Sequence, residues 1–173
     1  MAARFQLQLG DITSMNVEAV VNSSDVTLMD GGPVHAAIHG AAGPDLLAEV
    51  AALQGCRVGE ARLTAGHGLN AQYVIHTVAP TWTWGNAAEE QALASCYHNS
   101  LVLAASQNIR SLAFPSIGSG RQPQIPLERA APIAIKTILE FLNTSILPEK
   151  VQLVCFDAAT FQAYQRALKE ALP

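Results

Sequence analysis

The chain has 173 residues with a formal net charge of −4; half of its residues are hydrophobic and 14% are charged. That length predicts a single domain over residues 1–173 with a sizeable core, and the composition excludes a disordered or tail-like protein. The acidic balance, with Arg4, Arg57, Arg62, Arg110, Arg121 and Arg129 scattered along the chain, argues against a nucleic-acid partner. No leader-like segment and no bilayer-length apolar run is read, so a cytoplasmic location without a membrane partner is expected.

Phe5, Leu7 and Leu9 alternate with polar neighbours, predicting a half-exposed strand that stops at Gly10. Ala19 to Val21 reads as a short buried strand running into Asn22-Ser23-Ser24-Asp25. Asp30-Gly31-Gly32 then opens a predicted helix from Pro33 to Ala42. A strand, a glycine turn and a helix N-terminus in succession hold anions in α/β proteins, because bare backbone can approach the ligand and helix-end N–H groups point at it. The segment therefore points to a phosphate-bearing small molecule. A second helix is predicted from Pro44 to Leu53, and strands at Ala61–Thr64 and Tyr73–Val78. Thr81 to Ala88, with Trp82 and Trp84, reads as a surface excursion that either anchors itself partly in the fold or forms an interface. Helical spacing runs from Glu89 to Gln107, a strand covers Leu112–Phe114, and Pro115 to Pro126 is a loop rich in Gly, Ser and Pro. A helix from Pro126 to Leu142 must accommodate Pro132 in its early turns, since mid-helix proline costs about 3 kcal/mol. Val151–Phe156 is a continuous apolar strand, and Phe161–Leu172 a closing amphipathic helix. Alternating strands and helices predict an α/β sandwich with a mostly parallel sheet, whose loops after strand ends gather on one rim.

Several residues on that rim carry chemistry. Gly118-Ser119-Gly120-Arg121 either wraps a diphosphate or is an ordinary tight loop. Neither glycine cluster has the Gly-Lys-Ser/Thr ending of a P-loop or the dinucleotide fingerprint. Asp11 either caps the following turn or accepts a hydrogen bond from the amino group of a base. Phe156 is either a core aromatic or a stacking face for a purine. His35 and His39 stand four apart on one predicted helix, a zinc-compatible spacing, but no third ligand is suitably placed, so no metal is expected. His39 reads as a hydrogen-bonded core histidine. His35, beside the glycine turn, could pair with Asp25 to polarise water, whereas Asp25 alone reads as a turn acid. Ser116 and Ser119 lack a nucleophile-elbow pattern, and Cys56, Cys96 and Cys155 fall at no metal-type spacing and read as buried thiols.

Gly10-Asp11-Ile12-Thr13, Asn22-Ser23-Ser24-Asp25, Gly31-Gly32-Pro33-Val34-His35-Ala36-Ala37-Ile38-His39 with Ala41-Ala42-Gly43-Pro44, His76-Thr77-Val78-Ala79-Pro80 and Phe114-Pro115-Ser116-Ile117-Gly118-Ser119-Gly120 occur in this order. Together they resemble the successive signatures of the macrodomain family, in particular its bacterial O-acetyl-ADP-ribose deacetylase and mono-ADP-ribosyl hydrolase branch. The resemblance implies a three-layer α/β/α sandwich with a mixed, mostly parallel sheet and an ADP-ribose cleft on its rim. It implies ADP-ribose derivatives, and mono-ADP-ribosylated proteins, as partners and no cofactor. By that resemblance Asp11 takes the adenine amino group, Ile12 lines the base pocket and Phe156 packs on the adenine. Gly32, Pro33 and Val34 on one side, and Ser116, Gly118, Ser119, Gly120 and Arg121 on the other, embrace the diphosphate. Asn22 and Asp25 stand near the distal ribose, and Asp25 and His35, at the positions of the usual catalytic Asn and Asp, are the catalytic pair.

The chain departs from the family pattern where the chemistry is expected. Asp25 stands in place of the usual asparagine and His35 in place of the active branch's aspartate. The segment Arg121-Gln122-Pro123-Gln124-Ile125-Pro126 lacks the glycine-flanked aromatic that usually follows the diphosphate loop. The resemblance thus implies ADP-ribose binding with hydrolysis, and the departures leave a non-catalytic ADP-ribose reader as the alternative.

Overall fold

The computed structural model describes residues 4–120 and 123–172. Its strands are β1 (Phe5–Leu9), β2 (Ala19–Ser24), β3 (Ala61–Ala65), β4 (Tyr73–Val78), β5 (Ser111–Pro115) and β6 (Lys150–Cys155). They form one sheet in the order β1-β6-β5-β2-β4-β3. Each neighbouring pair is parallel except β3–β4. Parallel pairing needs long crossovers. These contain α1 (Pro33–Ala42), α2 (Pro44–Ala52), α3 (Ala87–Ser106) and α4 (Leu127–Thr144); α5 (Ala158–Ala171) closes the fold.

Alternation along the strands sorts side chains into two cores. Ala19 and Val21 join the cluster built with Leu93, Tyr97 and Leu101 of α3, Ile135 and Ile138 of α4, and Tyr164 of α5. Val20 points to the other face, where Ile38 of α1 and Leu46 and Val50 of α2 cover it. Helices on both faces make the expected three-layer α/β/α sandwich, with the mixed sheet in the middle.

Several boundaries differ from the sequence expectation. β2 does not stop at Val21: Asn22, Ser23 and Ser24 remain in register with His76, Thr77 and Val78 of β4. Their polarity suggested a loop, but ladder hydrogen bonds and a polar neighbour on β4 keep them in the sheet. Helix α3 starts at Ala87 rather than Glu89 because Asn86 caps it, accepting from the Glu89 N–H at 3.0 Å. Asp157 likewise caps α5 through the Thr160 N–H at 2.8 Å, so that helix begins three residues before Phe161. Phe156 lies just beyond the end of β6. α4 runs through Pro132, which is exposed and near its start, where solvent reaches the carbonyl left without an N–H partner.

Two buried tyrosines tie the loop after β5 to the helical layer. The Tyr97 hydroxyl accepts from the Ile117 N–H at 3.0 Å, and the Tyr164 hydroxyl meets Ser116 Oγ at 2.8 Å. Burial pushes both phenols up, Tyr164 to about 12, so both stay neutral. Tyr97→Phe strands a buried N–H and is expected to cost about 1–3 kcal/mol. Urea unfolding reads this as a lower midpoint at unchanged slope; an unchanged midpoint would mean the loop is not held there.

Candidate active site

The C-terminal ends of β2, β4 and β5 open into a cleft of about 310 Å³. Ser24 and Asp25 from the end of β2, Gly32, Pro33 and Val34 from the start of α1, and Ser116, Gly118 and Gly120 from the loop after β5 line it. Gly32 is the N-cap of α1 and offers no side-chain cap, so the positive end of that helix meets the cleft as bare backbone. The opposite loop comes within touching distance: a Cβ on Gly120 would stand 3.2 Å from Pro33 Cδ. Gly118 adopts φ +87°, and a Cβ there would lie 2.4 Å from Ile125 Cδ1. Ile125 N–H donates to the Gly118 carbonyl at 2.9 Å, which folds the loop back on itself. Ser119 Oγ donates to the Ser116 carbonyl at 2.8 Å and stiffens the turn instead of joining the cleft wall. Arg121 lies outside the described residues.

Further along the same rim, the ends of β1 and β6 stand side by side, with Gly10 N–H donating to the Cys155 carbonyl at 2.9 Å. This brings Asp11 and Phe156 onto neighbouring strand ends. Asp11 is exposed and caps a short 3₁₀ turn (Ile12–Ser14), its carboxylate accepting from the Thr13 N–H and hydroxyl. Phe156 is 52% exposed, so it is not a core aromatic, and a ring face is open to a ligand. Ile12 is buried beneath the 3₁₀ turn, in the core under α1. Asp11, Ile12 and Phe156 do not line the 310 Å³ cleft; Asp11 and Phe156 flank its rim on the β1–β6 side, while Ile12 is buried in the core below instead of lining a pocket wall.

Behind the cleft wall the α1-side core turns polar. Asn22 and Ser24 follow Val20 on the same face of β2, and His76 stands between Val74 and Val78 on β4. Asn22 is fully buried, and His35 is 6% exposed. Ser24 Oγ lies 2.8 Å from His35 Nδ1, while Asn22 Nδ2 faces Ser24 Oγ at 3.1 Å, His35 Nδ1 at 3.2 Å and His76 Nδ1 at 3.4 Å. His76 Nε2 meets Thr64 Oγ1 at 2.8 Å, and that hydroxyl donates to the Ala65 carbonyl. Since the Thr64 proton goes onward, His76 carries its proton on Nε2 and accepts from Asn22 at Nδ1. Burial, reinforced by His39 and His35, lowers the His76 pKa to about 3, and burial likewise lowers that of His39. Both rings are neutral at physiological pH.

His39 stacks on His35 with centroids 4.2 Å apart, but its Nε2 is buried with no partner among the described residues. The expectation of a hydrogen-bonded core histidine is therefore corrected: packing alone seats it. Among the described residues no cluster of His, Cys, Asp or Glu is arranged to hold a metal ion. Asp25 lines the cleft with its carboxylate accepting from the Thr27 N–H and hydroxyl. Asn22 sits one layer below the cleft surface. Trp84 is 81% exposed, not an anchor; Trp82 is half-buried, with the Arg129 guanidinium 5.3 Å from its ring. Sequence reasoning missed Ser24, whose partner is eleven residues away on another element. Alternation from Val20 through Asn22 to Ser24 was the signal available. Among the described residues no helix is long and apolar enough to cross a membrane.

The polar network makes a pH prediction. An unfolded His76 titrates near 6.5 but the folded one near 3, so between those values the unfolded state binds more protons. Stability is complete above pH 6.5 and declines as pH falls toward 3. His76→Gln is expected to flatten that decline in urea melts across the window, and an unchanged slope would contradict the assignment. Gly118→Ala forces both a left-handed backbone and a clash with Ile125, and is expected to lower the melting temperature; an unchanged one would show that the loop has another shape.

Residues 21–134 match the family model of the Macro domain. A Macro domain-containing protein of Methanosarcina mazei is 46% identical over 169 residues, covering 98% of this chain and 90% of that protein. A Klebsiella pneumoniae protein named O-acetyl-ADP-ribose deacetylase is 46% identical over 172 residues, covering 97% of this chain and 98% of its own length. The structure of a mutant Oceanobacillus iheyensis macrodomain with ADPR superposes with a TM-score of 0.91 at 34% identity, covering 95% of this chain and 91% of that one. The layered fold, the rim cleft and these matches give one conclusion: the chain belongs to the Macro domain family.

Proposed function

We propose that the rim cleft binds ADP-ribose and hydrolyses its acyl esters, either O-acetyl-ADP-ribose or the ester joining mono-ADP-ribose to an acidic protein side chain. The observation that carries the reading is the meeting of two bare-backbone elements across one cleft, the start of α1 at Gly32 and the Gly118–Gly120 turn. Together they offer N–H groups to a diphosphate from both sides. The sheet order supports the rest. From β1 to β2 the rim spans three inter-strand spacings, about 14 Å. Along it come Asp11 and Phe156 for the adenine, Ser116 and Gly118–Gly120 for the diphosphate, and Asp25 for the distal ribose, with His35 buried behind the wall at that end. The ester carbonyl would lie at the β2 end, where loop N–H groups stabilise the developing oxyanion. The deacetylase name of the Klebsiella relative and the ADPR in the Oceanobacillus structure agree with this substrate class. Three buried free thiols fit a cytoplasmic site of action.

A non-catalytic reader of ADP-ribose is the second reading, favoured by the departures at Asp25 and His35. Turnover separates the two. The protein is expected to release acetate from O-acetyl-ADP-ribose, and Asp25→Ala and His35→Ala each to slow this by about 10²–10⁴-fold while ADP-ribose affinity by titration calorimetry stays within a few-fold. Binding without any acetate release establishes the reader instead, and wild-type rates in both variants would remove Asp25 and His35 from the chemistry.

A further inference from the structure

We infer that Ser24 is a catalytic residue of this cleft, relaying a proton from the attacking water to His35. The inference rests on the ester-hydrolysis reading above and assigns a route for the proton within it. His35 and Ser24 are equally buried, each 6% exposed, but His35 is absent from the cleft wall, so it does not itself meet a water in the cleft. Ser24 does line the wall, and its Oγ is 2.8 Å from His35 Nδ1. The direction of that bond follows from the neighbours. The two protons of the Asn22 amide go to Ser24 Oγ and His76 Nδ1, but that NH2 group also stands 3.2 Å from His35 Nδ1, where a ring proton would oppose it; Nδ1 is therefore bare and the Ser24 hydroxyl is the donor. The Ser24 oxygen then accepts one amide proton from Asn22 at 3.1 Å and keeps one lone pair for a water.

The step balances without any further reagent. As the water oxygen bonds to the ester carbonyl carbon, a water proton passes to Ser24 Oγ and the Ser24 proton passes to His35 Nδ1. Collapse of the tetrahedral intermediate breaks the bond from the acyl carbon to the ribose oxygen. That oxygen takes a proton back along the same route, leaving ADP-ribose, the free acid and a neutral His35. Neighbouring groups permit the transient imidazolium. His39, stacked on His35, and His76, across Asn22, are both held neutral by burial, so neither of these rings sets a like charge against it. Asn22 Oδ1 is buried with no partner among the described residues, and rotation of that amide presents an acceptor to the protonated Nδ1. Gly31 makes room for the arrangement: a Cβ there would stand 2.7 Å from His35 Cβ.

Acetate release from O-acetyl-ADP-ribose, measured with Ser24→Ala, Ser24→Thr, His35→Gln and the Ser24→Ala/His35→Gln double variant, tests the relay. Melting curves and ADP-ribose titrations on the same samples report folding and binding. Ser24→Ala is expected to lower kcat by about 10²-fold or more with KM within a few-fold. The double variant is expected to be no slower than either single one, because both remove the same route. Ser24→Thr, which keeps the hydroxyl, is expected to recover activity above Ser24→Ala. Ser24→Ala at the wild-type rate, losses that multiply in the double variant, or an acetyl group trapped on Ser24 would each overturn the relay. Absence of turnover in the unmodified protein would instead overturn the hydrolase reading and the relay with it.

Discussion

The path of the chain around β2 is the constraint on which the site depends. After β2 the chain passes through α1 and α2 to one side of the sheet, forming β3 and β4, and then returns through α3 to place β5 on the other side of β2. The loops leaving β2 and β5 therefore diverge, and a crevice opens where the strand order reverses. What enters that crevice is decided by which residues end those two strands. Here they are glycine turns, one opening α1 and one pinned from below by Tyr97 and Tyr164. Main-chain N–H groups held by buried anchors need little reorganisation when an anion arrives.

The second feature is the polar seam beneath the cleft. A fully buried asparagine, two buried histidines and a buried threonine interrupt an otherwise apolar layer. Such groups are costly unless satisfied; the two Asn22 amide protons serve Ser24 and His76, the Ser24 hydroxyl serves His35, and Asn22 Oδ1 is left without a partner among the described residues. The seam holds the first turn of α1 against the end of β2, so the wall that carries Asp25 and Ser24 is coupled to the helix start. Neutrality of His76 keeps the seam intact, which links the shape of the cleft to the burial of a ring on β4.

Much of the architecture was legible in the sequence because its signals are local. Alternation in Phe5–Leu9, the apolar run of β6 and the glycine–proline start of α1 each specify their element with neighbouring residues alone. The ends of β2, α3 and α5 were less legible. The polar Asn22–Ser24 stays in the sheet only through pairing with β4, and the caps Asn86 and Asp157 act over three residues ahead of the helical periodicity. The two glycine turns were visible as candidates, but that they approach so closely that a Cβ on Gly120 would crowd Pro33 is a tertiary fact. The same holds for Ser24 and His35, which the sequence separates and the β2–α1 packing joins. His39 reads from the sequence as a hydrogen-bonded core histidine, but its Nε2 finds no partner among the described residues and the ring stacks on His35 instead, a contact that only the packed helix shows.

A crystal structure of the protein soaked with ADP-ribose bears most directly on the central claim. The account requires diphosphate oxygens within hydrogen-bond reach of main-chain N–H groups from both the start of α1 and the Gly118–Gly120 turn, with the adenine against Phe156 and the distal ribose beside Asp25. A nucleotide bound elsewhere on the molecule, or seated with its diphosphate away from both turns, would contradict it.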